Sequence, residues 1–398
     1  MSRHFSHLKT AATIIEQYRG EMPLHFYLKN FFSKEKKYGS KDRRTIGALC
    51  YYYFRLGHGE IERTIEERIL LGIYLCENQP NEILQIFKPE WNEKMALPLQ
   101  EKLHDIENFY PANIFKWKDE LSEEIESATF SLSFLIQPNL YIRVRPGYYE
   151  VVRKKLAEGN VKYEDIAEDC IAFENGIKLD EVLNVNHEYV VQDYNSQNVG
   201  EFMKLANSGI EFERKNLKSE MENPKSVWDC CAASGGKSIM VCDIIKDINL
   251  TVTDVRPSIL QNLQVRFKQA GIKDYSAYVS DLMEPNKIQT SPFDLVICDA
   301  PCSGSGTWGR TPEQLYYFKE DDIEKYSVLQ KRIARNVIPH VKKDGYLLYV
   351  TCSVFEKENE GVVKYILKNS FMKLIKMEVL KGYSLKADTM FAALFQLV

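Results

Sequence analysis

The strongest constraint on this chain is a regular alternation that begins near residue 226. Short apolar runs at about 227–232, 249–254, 276–280, 294–299 and 346–351 are separated by stretches with helical spacing. Strands alternating with helices predict a parallel, doubly wound sheet, because a crossover helix returns the chain to start each next parallel strand. Two further runs, FMKLIKMEVL and DTMFAALFQLV, follow a final helix, EKENEGVVKYILKN. A polar turn near Lys386 to Asp388 joins them with no helix between, which predicts an antiparallel hairpin at the sheet edge. In an open α/β sheet, residues just past the carboxyl ends of parallel strands line the ligand crevice.

Two cysteines occupy such places. FDLVICDAPCSGSGTW carries Asp299, Pro301 and Cys302 beyond its last apolar residues, and GYLLYVTCSVFEKENE carries Thr351 and Cys352 in the same relative position. The nine cysteines are an odd number, and most sit inside apolar runs, which argues for reduced thiols in a cytosolic compartment over a disulfide frame. With no C-x-x-C pair and seven histidines, the chain is expected to hold no metal. Core packing is the expected role of Cys50, Cys76, Cys170, Cys230, Cys242 and Cys298. Cys302 and Cys352 escape it because proline, serine and glycine neighbours place them past the strand ends.

The first strand of the alternation runs into a glycine turn, SVWDCCAASGGKS, opening a helix near Lys237. Such a turn lets backbone N–H groups and a helix N-terminus approach a ligand. One reading is a phosphate loop, G-x-x-x-x-G-K-[ST], since Gly236, Lys237 and Ser238 match and Asp299 is placed like a magnesium carboxylate. Its first glycine, however, falls on Cys231. The other reading is a methyl-donor site, which needs a glycine turn after strand one and acids after strands two and three; Asp254 and Asp281 fill those places. Either aspartate alone could be a helix cap, but in series at successive strand ends the functional reading outweighs that one.

Residues 1–110 read as a helical bundle. Ile46, Leu49, Cys50, Tyr53 and Phe54 mark one helix face, and Ile61, Ile65, Ile69 and Ile73 mark another. Between the second and third helices lies SKEKKYGSKDRR, in which Lys34, Lys36, Lys37, Lys41, Arg43 and Arg44 outnumber Glu35 and Asp42. It is either a solvated loop or a phosphate-binding one. Because the whole chain carries a net charge of −4, nucleic-acid binding would have to come from such local patches. Residues 111–225 read as a linker and a small α/β subdomain: NLYIRVRP and YEDIAEDCIAF as strands, YYEVVRKKLAEG as a helix. Arg143 and Arg145 share one strand face and are candidates to extend the basic strip. The start of the chain lacks the apolar core of a signal peptide, and no apolar run reaches 18 residues, so a soluble, cytoplasmic protein with no membrane contact is expected.

Two thiols and an aspartate suit one kind of methyl transfer. Carbon 5 of a pyrimidine is a poor nucleophile, and adding a thiolate at carbon 6 makes an enamine-like species that attacks a methyl sulfonium. The adduct must then lose its carbon 5 proton and expel the thiol, while Asp299 can hydrogen-bond the ring edge at N3 and the amino group.

The segments CAASGGKS, DAPCSGSGTWGRTPE and YVTCSVFEKENE resemble, in order and spacing, the signature motifs of the Sun (Fmu) type of RNA cytosine-5 methyltransferase. YIRVRP and VQDYNSQ look like that family's pre-catalytic segments, and DRRTIGALCYYYFRL resembles the end of the NusB-like helical domain of its ribosomal RNA members. The resemblance implies a Rossmann-like methyltransferase domain with a seven-stranded, mostly parallel sheet at 226–398. A small α/β subdomain at 111–225 and an N-terminal all-α NusB-like RNA-binding domain at 1–110 would precede it. It implies S-adenosylmethionine held by Cys231, Ala232, Ala233, Ser234, Gly235, Gly236, Lys237, Asp254, Asp281 and Asp299. It also implies Cys352 as nucleophile, Cys302 as the adduct-releasing cysteine, ribosomal RNA as partner and a monomer. The family's usual proline in the first motif is Ser234 here, which is expected to loosen the turn. An arginine common after strand two falls on Ile259, with Arg256 nearby but offset. No further RNA-binding domain is expected after the core. Two other classes stand beside this reading: a P-loop NTPase, and a methyltransferase-like RNA-binding or assembly factor without turnover.

Overall fold

In a computed structural model, which describes residues 3–59, 62–217, 224–284 and 292–398, the chain divides into two units. The first comprises Met1–Leu121, Ile125–Gln137 and Thr307–Glu320. Its main helices are α1 (Arg3–Gln17), α2 (Leu24–Lys34), α3 (Ser40–Arg55) and α4 (Ile65–Cys76). Four shorter ones follow, α5 (Glu82–Phe87), α6 (Pro89–Asn92), α7 (Leu99–His104) and α8 (Ser127–Ser133). The apolar faces go inward as their spacing requires: Ile46, Leu49, Cys50 and Phe54 of α3 and Ile69 and Ile73 of α4 are buried. Ile61 of the four-residue repeat lies outside the described residues. Thr64 and Glu67 form a reciprocal capping box that starts α4 at Ile65.

The basic run is only partly a loop. Lys34 closes α2, while Lys41, Arg43 and Arg44 lie in α3. The cause is Asp42, whose Oδ2 accepts the Gly39 N–H at 3.2 Å and caps the helix. Its Oδ1 also accepts from Arg3 at 2.6 Å. All six cationic side chains of the run are exposed.

The second unit comprises Ser122–Glu124, Pro138–Gly306 and Asp321–Val398. It begins with β1 (Leu140–Val144), α9 (Tyr149–Glu158), β2 (Glu164–Asp165), β3 (Cys170–Phe173) and β4 (Tyr189–Val191), an antiparallel sheet in the order β2-β3-β1-β4. The segment YEDIAEDCIAF is therefore a hairpin and not one strand, because the Cys170 N–H turns back onto the Ala167 carbonyl at 3.2 Å. Arg143 and Arg145 do share a face, but it is a covered one. They donate at 2.8 Å each to the two carboxylate oxygens of Asp243, and their side chains are 5% and 12% exposed. They form no open basic strip, because a buried carboxylate takes both charges.

The long α10 (Tyr194–Leu217) leads to β5 (Lys225–Asp229), α11 (Gly236–Ile244), β6 (Ile248–Asp254), α12 (Pro257–Ala270), β7 (Tyr275–Val279) and β8 (Phe293–Asp299). After α13 (Gln314–Tyr317) in the first unit come α14 (Asp321–Val337), β9 (Val341–Thr351), α15 (Glu360–Asn369), β10 (Met372–Leu380) and β11 (Met390–Leu397). The seven strands order as β10-β11-β9-β8-β5-β6-β7, with β9, β8, β5, β6 and β7 mutually parallel and β11 antiparallel to both its neighbours, β9 and β10. Alternate residues such as Leu295 and Ile297 join one core with Phe202 and Met203 of α10, Ile239 of α11 and Phe267 of α12. The direction of winding reverses between β5 and β8. That is the switch point at which such sheets open a crevice.

Candidate active site

The turn after β5 is shaped by two left-handed residues, Ala233 at φ 47° and Gly235 at φ 83°. At Gly235 the position demands glycine on two counts, because a Cβ there would also come within 2.7 Å of Phe267. Ser234 does not leave the turn loose. Arg266 of α12 donates to its carbonyl at 2.9 Å and to its Oγ at 2.7 Å, so a side-chain clamp stands where the family has a proline ring.

At the end of β6, Asp254 accepts the Ala233 N–H at 3.1 Å and two hydrogen bonds from the Arg256 side chain. Burial works to raise its pKa, but the bonds from Arg256 and Ala233 outweigh it and hold the carboxyl below its ordinary range. Arg256 thus has a partner, which its offset in the sequence concealed. Beyond β7, Asp281 is exposed and caps its own turn by accepting the Met283 N–H at 2.9 Å.

Lys237 donates to Asp299 at 2.6 Å. Burial pulls its pKa down, but the Asp299 charge more than offsets this and holds the ammonium above the ordinary lysine value. Ser238 donates to the buried Asp229 at 2.6 Å. The lysine and serine of the phosphate-loop pattern are therefore both engaged by carboxylates, which argues against the NTPase reading.

Cys302 and Cys352 follow the carboxyl ends of the neighbouring strands β8 and β9, and their sulfurs lie 3.2 Å apart. The Cys302 thiol is pushed well up, first by its hydrogen bond to the Cys352 sulfur and then by burial. A polar bracket holds the two segments in register. Glu358, fully buried, accepts the Ser303 N–H at 2.9 Å, the Gln330 amide at 2.8 Å and the Ser353 hydroxyl at 2.7 Å. The Gly306 N–H donates to the Cys352 carbonyl at 2.9 Å. A Cβ at Gly306 would sit 1.9 Å from the Thr389 carbonyl, so glycine is needed for this approach. Sequence reasoning gave Glu358, Ser303, Ser353 and Gln330 no role, although the first three lie in or beside the quoted motifs.

One cavity of about 600 Å³ gathers these groups. Cys231, Ala233, Asp254, Asp281, Asp299, Cys302 and Cys352 line it, together with Tyr326, Leu329 and Ile333 of α14, which sequence reasoning missed. Ala232, Ser234, Gly235, Gly236 and Lys237 shape the turn behind it. The cationic residues from Lys34 to Arg44 belong to the first unit.

Residues 217–394 match the family model described as 16S rRNA methyltransferase RsmB/F. Over these residues the chain is similar to the RsmB/F family. A probable ribosomal RNA small subunit methyltransferase B of Bacillus subtilis (strain 168) is 28% identical over 235 residues, which is 58% of this chain and 49% of that protein. The ribosomal RNA small subunit methyltransferase B of Enterobacter sp. (strain 638) is 30% identical over 151 residues, 38% of this chain and 35% of its own length. The match thus spans half or less of these curated relatives. Among solved structures, PH0851 covers 99% of this chain and 99% of its own at 19% identity with a TM-score of 0.67. NSun6 from Pyrococcus horikoshii, solved with SFG, an analogue of S-adenosylmethionine, covers 71% of this chain and 96% of its own at 14% identity and a TM-score of 0.55. At these identities the structural likeness establishes the Rossmann-like fold.

Proposed function

We propose that the chain methylates carbon 5 of a cytosine in RNA, most naturally small-subunit ribosomal RNA, through a covalent adduct between Cys352 and carbon 6. The observation that carries this reading is the pair of sulfurs 3.2 Å apart at one cavity mouth, with Asp299 in the same wall.

The cavity fits S-adenosylmethionine in the chemistry of its lining: the Asp254 carboxylate for ribose hydroxyls, the Ala233 turn for close backbone approach, and apolar Leu329 and Ile333 beside them. When bound, it supplies an electrophilic methyl group on a sulfonium. Cys352 adds to carbon 6 as a thiolate and carries the ring's electron density to carbon 5. The Cys302 thiol is pushed up by its hydrogen bond with the Cys352 sulfur and by burial, which supports a division of work in which Cys302 holds its proton. Once carbon 5 is methylated, its proton passes to a base and the carbon–sulfur bond of Cys352 breaks, restoring the aromatic ring. Cys302, at 3.2 Å, is placed to act on that departure. Asp299, oriented by Lys237, faces the same cavity and can hydrogen-bond the ring edge.

The residues 1–110 enter the same proposal as a NusB-like RNA-binding domain, supported by the exposed cations of the basic run. Residues 111–225 enter as the linker and small subdomain, and 226–398 as the catalytic domain. The deciding experiment is bisulfite sequencing of ribosomal RNA from cells with and without the gene, paired with transfer of labelled methyl to the same RNA by purified protein. A cytosine protected only when the gene is present supports the reading. An unchanged protection map with no methyl incorporation overturns it and leaves an RNA-binding factor without turnover.

A further inference from the structure

Cys230 and Cys298 were expected to be core residues and Cys231 part of the donor-binding turn, and the fold brings the three together. β5 and β8 are adjacent parallel strands with Asp229 beside Ile297, and the Cys230 N–H donates to the Ile297 carbonyl at 2.9 Å. The next step along both strands therefore sets Cys230 and Cys231 against Cys298. All three sulfurs lie within 4.8 Å of one another. No spacing rule could find this set, because one member comes from a strand far along the chain.

Three features make this more than packing. Cys298 is buried behind Cys230 and Cys231, which both line the cavity, so the cluster is enclosed on one side and reachable from the other. The Cys230 and Cys231 thiols both hydrogen-bond the Cys298 sulfur, so the three side chains converge on one point. The distances are also near those a metal needs. A tetrahedral ion with about 2.3 Å bonds to sulfur sets its ligands about 3.8 Å apart, so the sulfurs must draw in by about 1 Å at most.

We propose that Cys230, Cys231 and Cys298 form a three-thiolate site for a soft divalent ion of the zinc and cadmium class, with the fourth coordination position open to the cavity. Thiolates select such ions over hard ones such as magnesium. Binding forms three metal–sulfur bonds and releases the thiol protons to solvent, so affinity rises with pH. The site shares Cys231 and the cavity with the methyl-donor reading, but its metal readout needs neither S-adenosylmethionine nor RNA.

The test uses the full chain carrying Cys302→Ala and Cys352→Ala, which removes the other close thiol pair. Titration with cadmium should give an ultraviolet sulfur-to-metal charge-transfer band that saturates at one equivalent. X-ray absorption of the zinc form should show three sulfur neighbours at about 2.3 Å. Adding Cys298→Val, a swap of similar volume, should weaken the ion at least tenfold. Absence of the band, fewer than three sulfur neighbours, or undiminished affinity in a folded Cys298→Val protein would each overturn the proposal. Should that last variant not fold, the sulfur count in the first protein decides the matter alone.

Discussion

The sulfurs of Cys302 and Cys352 stand 3.2 Å apart although the residues belong to different strand ends. Both thiols line one cavity, so geometry alone does not divide their labour, and the proposed division rests on the proton. With the Cys302 thiol pushed up by its bond to Cys352 and by burial, Cys302→Ala should still form the adduct and methylate, then stall as a covalent protein–RNA species. Cys352→Ala should form none and lose turnover by orders of magnitude. Denaturing gel electrophoresis after incubation with RNA and S-adenosylmethionine reads both. A slow band for Cys352→Ala alone would reverse the assignment.

Glu358 should matter to rate more than to binding. Its carboxylate accepts from Ser303, Ser353 and Gln330, tying the Cys302 segment to the Cys352 segment without lining the cavity. Glu358→Ala leaves buried donors without partners, at about 1–3 kcal/mol of stability. It should also lower kcat by about tenfold or more while the S-adenosylmethionine Kd stays within about twofold, with Glu358→Gln recovering part of the rate. Equal loss in kcat and donor affinity would mean the bracket merely supports the fold.

The sheet and its strand ends were legible because period and chemistry agree there. Asp254, Asp299, Cys302 and Cys352 each follow an apolar run, and strand ends converge in a parallel sheet whatever the details of packing. What sequence could not reveal was partnership. Arg143 and Arg145 read as a strip because period two puts them on one face, but no local pattern says that Asp243 of α11 covers that face. Cys298 read as core because it sits inside an apolar run, and its two sulfur neighbours come from the turn after β5. The basic run read as a loop because the helix-capping role of Asp42 is hidden among six cations.

The clamp on the glycine turn gives a binding prediction. Arg266 holds Ser234 by two hydrogen bonds, and Ser234 follows Ala233, whose N–H reaches Asp254. Arg266→Ala should therefore raise the S-adenosylmethionine Kd about tenfold, the loss of roughly one charge-assisted hydrogen bond's worth of order. Calorimetric titration measures it. An unchanged Kd would show that the two left-handed residues set the turn unaided.

Asp229 gives a pH prediction. Burial pushes its carboxyl up to about 7, one oxygen accepts from Ser238, and the other is buried without a hydrogen-bond partner. Since the folded pKa exceeds the unfolded one, near 3.9, folding favours the protonated form. That stabilisation is complete below the unfolded value and is lost as pH rises through about 7. Asp229→Asn, which keeps an acceptor for Ser238, should gain stability relative to the parent at pH 8 compared with pH 4. Urea denaturation at the two pH values tests this, and parallel curves would place the titration elsewhere.

The two sets of cations should part company in a salt titration. Lys34, Lys36, Lys37, Lys41, Arg43 and Arg44 are exposed, so replacing three of them by alanine removes charge with little cost to the fold. If they hold RNA phosphates, the slope of log affinity against log salt should flatten by about 0.7 to 0.9 for each phosphate no longer neutralised. Arg143 instead sits on Asp243 with 5% of its side chain exposed. Arg143→Ala leaves that buried carboxylate with only Arg145 and should cost about 3 kcal/mol of stability with no change in the salt slope. Thermal melts and RNA titrations at several salt concentrations separate the two effects. An unchanged slope after the triple substitution would return the basic run to a solvated surface, and a flattened slope for Arg143→Ala would mean that its face opens to RNA after all.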